Sequence, residues 1–411
     1  MIFNVKCRGS QAVRRLSRKQ LRESVQGFES LSRRRSNSSN PDQIFETKKY
    51  NLVKKFKFCI MLSSRFKNDG KSFIVLNNKQ KKFKALFEEK IKTNQYAFEA
   101  VDCIICNSSN FELLSEKDRY GLSMSVVICT KCGLVQTTPR MTKNTLNGFY
   151  DNEYRKIYEE DEYVTEQFFQ TQYNKGKVIN NFIKNTLGKT FTKKFVVEIG
   201  TGAGGILQFF KDMGNDVYGV DLGSEYIQFG KQKGLNLEIG TIDKLSTIQK
   251  KPDLVIYSHV LEHLPNPIKE FQTLKKYLHA ESIVYVEVPG IKHLNLSYNQ
   301  NFLEYLQNAH LYHFTLNTLR RCLKNSGFRL INGNKLVQSL FKIGEDDEPT
   351  FNEFDDTIKF LQNLEILQSK SINLLKIKGK IFSVMFKIAV ATGTLSVGQS
   401  LYSKYTTKDT T

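Results

Sequence analysis

The sequence lacks any apolar run long enough to cross a membrane. A membrane-spanning helix needs about 18 or more consecutive apolar residues, and no stretch of the 411-residue chain has that character. The first residues also lack the apolar core of a secretory signal. Internal repeats are absent as well. These absences predict a globular protein that works in the cytoplasm.

Acidic residues are scarce at the start of the chain, and this scarcity accounts for most of its charge. The formal net charge is +20. Residues 1–100 hold 24 Lys and Arg against 8 Asp and Glu, a net of +16, which leaves +4 for the rest. Arg, Ser and Asn dominate residues 1–45, where few apolar residues recur. We therefore predict a basic, largely disordered extension over residues 1–95.

Two functional interpretations of this extension compete with a simple solvated arm. Its first 22 residues contain Arg and Ser but no acid, as transit peptides do. Lys is interleaved with Phe in residues 48–92, a pattern that can bind nucleic acid through phosphate contacts and base stacking. We prefer the solvated arm, and binding of nucleic acid is not expected.

Cysteine is uncommon, and most of it is paired in sequence. The 7 cysteines include the pairs Cys103 with Cys106 and Cys129 with Cys132, each spaced Cys-x-x-Cys. An odd total with this spacing argues against a disulfide framework. Four thiolates suit tetrahedral Zn²⁺ and leave no position for water, so we predict a structural zinc site. Four unrelated free cysteines and a redox pair are the alternatives; neither pair opens a helix after a strand, as redox pairs do.

The chain is organised around residues 195–221. An apolar run begins at Phe195 and reads as a buried strand, and a turn with Gly200, Gly202 and Gly204 follows it. A helical pattern and a second strand come next, and that strand ends in Asp221. Strand, glycine turn, helix, strand and acid make up half of a nucleotide-binding unit. Asp221 is placed to accept hydrogen bonds from ribose hydroxyls.

Two cofactors fit this pattern. Glycines at 200, 202 and 205 also match the dinucleotide fingerprint, with Asp221 at a suitable distance. However, Glu198 stands two residues before the first glycine, where a carboxylate suits an ammonium group better than a pyrophosphate. Three further strands, at 235–239, 252–257 and 282–288, follow in order. These features favour S-adenosylmethionine over a dinucleotide.

In these segments the chain resembles the class I S-adenosylmethionine-dependent methyltransferases. The strings EIGTGAGG, YGVD and PDLVIYSHVLEHL look like three motifs of that family. With the cysteine pairs upstream and NAHLYHFTLNTLRRCLKNSGF downstream, residues 101–343 resemble the subgroup with an N-terminal zinc-binding domain, which includes sugar C-methyltransferases. The resemblance implies an α/β fold, with a Rossmann-like seven-stranded core and a small zinc-ribbon-like module.

The resemblance also implies a division of the chain. After the extension, a zinc-binding module would occupy residues 96–140 and a helical linker 141–190. The methyltransferase domain would occupy 191–343, and a helical tail 344–411. In that tail, the basic apolar stretch at 376–391 is expected to pack as a helix, and weak contact with an anionic membrane surface is the alternative.

The same resemblance implies roles for individual residues. Glu198 and the three glycines would line the methionine part of the cofactor, and Asp221 would bind its ribose. The remaining cofactor-binding residues would be Leu222, Thr241 and Ile242 around the adenine, and Ser258 and His259 near the sulfonium.

For catalysis we predict His310 as the base, with His313 and His263 as further candidates. Related sugar C-methyltransferases have a catalytic Glu-His pair near this position, but here Ala309 precedes His310. That departure weakens the prediction of C-methylation. His259, Glu262 and His263 also match an inverted zinc-protease motif, but a strand-to-loop turn should keep these ligands apart.

The function predicted from these features is methyl transfer from S-adenosylmethionine to a small molecule. A nucleotide-linked sugar or another glycan or natural-product precursor is the expected acceptor, methylated on carbon or oxygen. An RNA methyltransferase that uses the basic arm is the first alternative. A catalytically silent binding protein with this fold is the second.

Overall fold

A seven-stranded sheet and a four-stranded sheet carry the fold. The computed structural model describes residues 61–158, 164–347 and 352–369. The strands in these ranges are β1 (Phe98–Glu99), β2 (Phe111–Lys117), β3 (Ser123–Cys129), β4 (Val135–Thr137), β5 (Arg140–Met141), β6 (Phe195–Ile199), β7 (Asp216–Asp221), β8 (Leu237–Ile239), β9 (Leu254–Ser258), β10 (Ile283–Glu287), β11 (Tyr312–His313), β12 (Phe328–Gly333) and β13 (Gln338–Ile343). Predictions for residues 1–60 and 376–391 lie outside the described residues.

Helices cover both sheets. They are α1 (Asn78–Lys92), α2 (Lys143–Phe149), α3 (Arg155–Tyr158), α4 (Glu166–Leu187), α5 (Gly205–Asp212), α6 (Ser224–Gln232), α7 (Pro267–Tyr277), α8 (Phe302–Tyr305), α9 (Leu316–Lys324) and α10 (residues 353–369). Among the described residues, no helix combines the length and the apolarity that crossing a bilayer requires.

The larger sheet has the strand order β12-β13-β10-β9-β6-β7-β8. Strands β9, β6, β7 and β8 run parallel to one another and to β10, while β13 is antiparallel to both of its neighbours. All five residues of β6 and all five of β10 are buried, as expected for strands with helices on both faces. The Rossmann-like seven-stranded core predicted from the sequence is therefore confirmed.

The direction of sheet growth reverses at β6, which pairs with β7 on one side and β9 on the other. In open α/β sheets, ligands bind beyond the carboxyl ends of the strands at such a reversal. The glycine turn after β6 and the segment after β9 therefore flank the predicted crevice.

The cysteine pairs belong to the smaller sheet, whose order is β11-β4-β3-β2. Its fourth strand, β11, comes from the segment after the last parallel strand, where Tyr312 pairs with Gln136 and His313 with Val135. One apolar cluster contains Val127 from this sheet and Val197 and Val255 from the larger one. The two sheets thus share a hydrophobic core.

The prediction of a largely disordered extension is wrong for residues 61–95. Helix α1 starts with a capping box between Asn77 and Gln80. Its apolar residues Phe83, Phe87 and Ile91 recur every four positions, and Phe87 is fully buried. Many lysines surround these positions, so the regular spacing of the apolar residues was not recognised as a helical pattern.

Residues before α1 pack against the C-terminal helix. Phe66 is fully buried in a cluster that also contains Leu361 and Leu364 of α10. Next to it, Arg65 forms an ion pair of 2.6 Å with Glu365. The described part of the C-terminal segment is therefore held against the chain by both apolar contact and charge.

Candidate active site

The glycine turn begins as soon as β6 ends. Gly200, Gly202 and Gly204 have φ values of 72°, 54° and 82°, in a region that side chains other than glycine rarely adopt. Helix α4 lies against this turn. A Cβ atom on Gly202 would come within 2.7 Å of Gln172 Nε2, and one on Gly205 within 2.3 Å of the Phe169 carbonyl oxygen. Backbone conformation and helix packing thus both require glycine here.

Asp221 at the end of β7 holds the turn in place. Its Oδ2 accepts a hydrogen bond of 2.8 Å from the amide of Gly202, and its Oδ1 accepts one of 2.7 Å from the amide of Gly223. A carboxylate has about four acceptor positions, so both oxygens can take further donors. The predicted ribose contact therefore needs no change in this geometry.

The residues predicted around the adenine differ in exposure. Leu222 follows Asp221 and is 73% exposed. Thr241 is also exposed, whereas the side chain of Ile242 is buried in the hydrophobic core. Among these three, Leu222 and Thr241 are the side chains available to a ligand.

Glu198 lies beneath the glycine turn, almost completely buried. One carboxylate oxygen accepts a hydrogen bond of 2.9 Å from the Thr201 hydroxyl. Burial raises the pKa of Glu198 well above its usual range; the Thr201 hydrogen bond opposes this shift, and the negative charge of Asp221 adds to it. Its predicted contact with the cofactor ammonium stays a prediction.

Ser258 is the last residue of β9, and His259 opens the segment that follows. His259 has a φ of 58° and its side chain is 47% exposed. Its Nδ1 lies 3.5 Å from Glu262 Oε1 and its Nε2 lies 3.8 Å from Glu287 Oε1. Desolvation lowers the pKa of His259, but the two carboxylates outweigh it and raise the pKa above its ordinary value.

The structure brings together the three histidines predicted for catalysis. The rings of His263 and His310 are 4.7 Å apart, and those of His310 and His313 are 6.1 Å apart. Burial lowers the pKa of His263, that of His310 well below its usual range, and that of His313 to about 3. All three are therefore neutral imidazoles near pH 7. Whether any of them is the base stays a prediction.

Sequence reasoning missed Glu262, which lies among these histidines. It is 1% exposed, and neither of its carboxylate oxygens has a hydrogen-bond partner. The spacing His-x-x-Glu-His signalled it, but we expected these side chains to point apart. The two histidines do stay apart, because the 3-10 turn Leu261–His263 places them on either side of Glu262, but each ring comes within 4 Å of its carboxylate.

The cysteine-containing sheet also contributes to this pocket. Arg119, in the turn between β2 and β3, donates from Nη2 to Gln307 Oε1 at 2.7 Å. The amide of Gln307 in turn contacts His310 Nε2. Sequence analysis gave no sign of this connection, because the residues are 188 positions apart.

The four paired cysteines form a single cluster. Cys103 Sγ and Cys132 Sγ are 3.4 Å apart, Cys106 Sγ and Cys129 Sγ are 3.5 Å apart, and all four sulfur atoms lie within 4.8 Å of one another. The two loops have the same hydrogen bond: the amide of Asn107 donates to the Cys103 carbonyl at 2.8 Å, and that of Gly133 to the Cys129 carbonyl at 2.9 Å. Sequence spacing predicted this convergence.

Comparison with known proteins identifies the reaction class. Residues 170–332 match a family described as a methyltransferase domain. The chain contains a methyltransferase domain. This match spans the glycine turn, Asp221 and the histidine pocket, and it confirms the enzyme class predicted from the sequence, an S-adenosylmethionine-dependent methyltransferase. No curated protein matches the sequence.

Solved methyltransferase structures resemble the chain at low identity. The plantazolicin methyltransferase BpumL in complex with SAH is 19% identical, over 56% of this chain and 85% of that one, with a TM-score of 0.34. A putative sarcosine dimethylglycine methyltransferase from Galdieria sulphuraria is 15% identical, over 46% and 75%, with a TM-score of 0.32. An S-adenosylmethionine-dependent methyltransferase from Clostridium acetobutylicum is 12% identical, over 49% and 98%, with a TM-score of 0.32.

The packing of α4 on the glycine turn predicts the effect of a single methyl group. Gly205→Ala should destabilise the methyltransferase by about 1–3 kcal/mol, because the added Cβ overlaps the Phe169 carbonyl oxygen. Chemical denaturation measures this change. The matched control is Gly148→Ala in α2, where the nearest atom to the new Cβ would be 3.5 Å away. Alanine at 148 should not destabilise the protein, because it favours the helix. Equal stabilities for the two variants would contradict the packing argument.

Proposed function

We propose that this methyltransferase acts on a small polar acceptor, namely a nucleotide-linked sugar or another glycan or natural-product precursor, on carbon or oxygen. One observation carries the proposal. The buried cluster around Glu262 and His310 contains more hydrogen-bonding capacity than the protein uses. Both oxygens of Glu262, Nδ1 of His310, both ring nitrogens of His313 and Nε of Arg119 are buried without a partner. Because unpaired buried polar groups are costly, a polar ligand is the expected partner.

The methyl donor would lie at the sheet reversal. Asp221 would accept from the ribose, and Leu222 and Thr241 would flank the adenine. The glycine turn and Glu198 would hold the methionine part, and Ser258 and His259 would face the sulfonium. Methyl transfer needs the acceptor at near-attack distance from that carbon, and the His310 pocket adjoins this end of the cleft through His259 and Glu262.

Within the acceptor pocket, His310 is our proposed base. Its Nδ1 is a buried ring nitrogen with no partner. His263 and His313 would orient the acceptor. The glutamate that sugar C-methyltransferases have before the histidine is absent, but Glu262 brings a carboxylate to the same pocket from the segment after β9.

Binding of the methyl donor tests the first part of this proposal. Wild-type protein should bind S-adenosylmethionine in a calorimetric titration and should not bind NADH. Asp221→Ala removes the carboxylate that anchors Gly202 and Gly223, so its affinity should fall by at least about tenfold, as expected for the loss of charge-assisted hydrogen bonds. Wild-type binding of NADH instead would contradict the assignment of the cofactor.

Deletion of residues 1–60 separates a small acceptor from RNA. The deletion ends at residue 60 and not at residue 95, the predicted end of the extension, because residues 61–95 include α1 and the buried Phe66. A small-molecule enzyme should keep its turnover when the basic segment is removed, as measured by S-adenosylhomocysteine release with nucleotide sugars. Turnover on RNA that disappears with the deletion would favour the alternative.

The cysteine cluster is proposed to hold a structural zinc ion. Zn–S bonds of about 2.3 Å in a tetrahedron place sulfur atoms about 3.8 Å apart, close to the spacing here. Hydrogen bonding with Cys103 and Cys129, together with burial, raises the pKa of Cys132, so a cation beside it would be needed to hold this side chain as a thiolate. The five cysteines among the described residues are free thiols, which fits the proposed cytoplasmic location.

Metal analysis of two cysteine variants tests the zinc site. Wild type should contain one zinc per chain, and Cys129→Ser should lose it and melt at a lower temperature, because the small sheet depends on the metal. Cys322→Ser is the control: this buried cysteine lies outside the cluster, so the variant should keep its zinc. A folded wild-type protein without zinc, unaffected by a chelator, would contradict the proposal.

A further inference from the structure

Glu262 is a buried carboxylate that lacks the partners such a group needs. It is 1% exposed and neither oxygen has a hydrogen bond. In the part of the chain that the structure describes, the basic side chains within 4 Å of it are His259, with Nδ1 at 3.5 Å, and His263, with Nε2 at 3.9 Å. Lys175, the nearby lysine, is instead paired with Glu287 at 2.5 Å. His259 is 47% exposed and makes no hydrogen bond to Glu262, so it compensates the buried charge only in part, and a cation from outside the chain is the expected further partner.

The orientation of His263 leaves one ring nitrogen free toward Glu262. Its Nδ1 lies 3.1 Å from the Ala309 carbonyl oxygen and 2.8 Å from the Tyr150 hydroxyl. Because a carbonyl oxygen only accepts, Nδ1 carries the proton in the neutral ring. The lone pair is therefore on Nε2, the nitrogen that faces Glu262. Histidines that bind metals commonly donate their other N–H to a backbone carbonyl in this way.

His310 is the third possible metal ligand, beside Glu262 and His263. Its ring packs against His263 at 4.7 Å, and its Nδ1 is buried without a partner. One ligand atom from each of Glu262, His263 and His310 lies within 4.8 Å of the other two. We propose that these three residues bind a divalent transition-metal ion in the acceptor pocket.

The donor set indicates the kind of metal and ligand. Two imidazoles and a carboxylate suit Mn²⁺, Fe²⁺, Co²⁺ or Zn²⁺, and three protein ligands leave positions open for others. This site is chemically distinct from the cysteine cluster, which offers only sulfur. If the proposed function holds, the open positions take an oxygen atom of the acceptor, which favours a hydroxyl-bearing acceptor. Because Nδ1 of His310 then binds the metal, it does not also act as the base; the metal instead lowers the pKa of the bound hydroxyl.

Titration with Mn²⁺ tests the proposal on the full chain with zinc in its cysteine cluster. Mn²⁺ prefers oxygen and nitrogen ligands to thiolates, and electron paramagnetic resonance measures the unbound ion. Wild type should bind one Mn²⁺ per chain in the absence of S-adenosylmethionine. Glu262→Gln and His263→Asn should weaken this binding by at least about tenfold. The control, Glu281→Gln, changes an exposed carboxylate and should leave binding unchanged.

A fourth variant tests the role of His310. Gln307 Oε1 accepts from Arg119, so the NH2 group of Gln307 faces His310 Nε2 and favours the proton on Nδ1. Ligation through Nδ1 requires that proton on Nε2 instead, and therefore an acceptor at position 307. Gln307→Glu supplies carboxylate oxygens to both Arg119 and His310, so it should preserve or tighten Mn²⁺ binding. Weaker binding in this variant would exclude His310 as a ligand.

Parallel measurements keep this inference separate from the proposed function. Melting temperature and S-adenosylmethionine affinity, measured for each variant, show whether the protein is folded and its donor site intact. Failure to bind Mn²⁺ by a wild-type protein that binds S-adenosylmethionine would overturn the metal site alone. Retention of Mn²⁺ by folded Glu262→Gln would overturn it as well. Binding of Mn²⁺ without methyl transfer to any hydroxyl acceptor would support the metal site and contradict only the proposed function.

Discussion

The buried carboxylate of Asp118 holds the two halves of the site together. Its Oδ1 accepts hydrogen bonds of 2.9 Å from the amides of Tyr120 and Leu122, in its own turn of the small sheet. Its Oδ2 accepts bonds of 3.2 Å from the amide of Asn308 and from the Tyr158 hydroxyl. Burial raises the pKa of Asp118 to about 6, although these amides oppose the shift. Through this one side chain, the turn of the small sheet positions the loop that carries His310.

The rest of the pocket depends on that loop. The Ala309 carbonyl sets the proton position of His263, and Arg119 orients Gln307 against His310. Strand β11 then joins the same segment to β4 of the cysteine-containing sheet. The small sheet therefore supports the cluster around His310, the proposed acceptor site, as well as carrying the cysteines. A metal in the cysteine cluster would stabilise that sheet without taking part in the reaction.

Much of the fold could be predicted from local patterns. The buried strands appear as short apolar runs, and the glycine turn combines positive φ values with close approach of a helix, which only glycine allows. Each Cys-x-x-Cys loop is closed by its own backbone hydrogen bond, and the pairing of β2 with β3 brings the two loops together. Helix α1 was not predicted, because three apolar residues among many lysines form only a weak helical pattern. Phe87 is nevertheless completely buried.

By itself, the sequence indicated the α/β core, the reaction class and the cysteine cluster, because each carries local motifs, and the seven strands followed from the resemblance of those motifs to a methyltransferase family. Only the tertiary structure decided which groups face the acceptor. Glu262 belonged to a motif whose members were expected to point apart, and no sequence pattern singled out Arg119. Both reach His310 through contacts between distant segments. Such contacts depend on how the two sheets pack, and residue spacing along the chain carries no information about that packing.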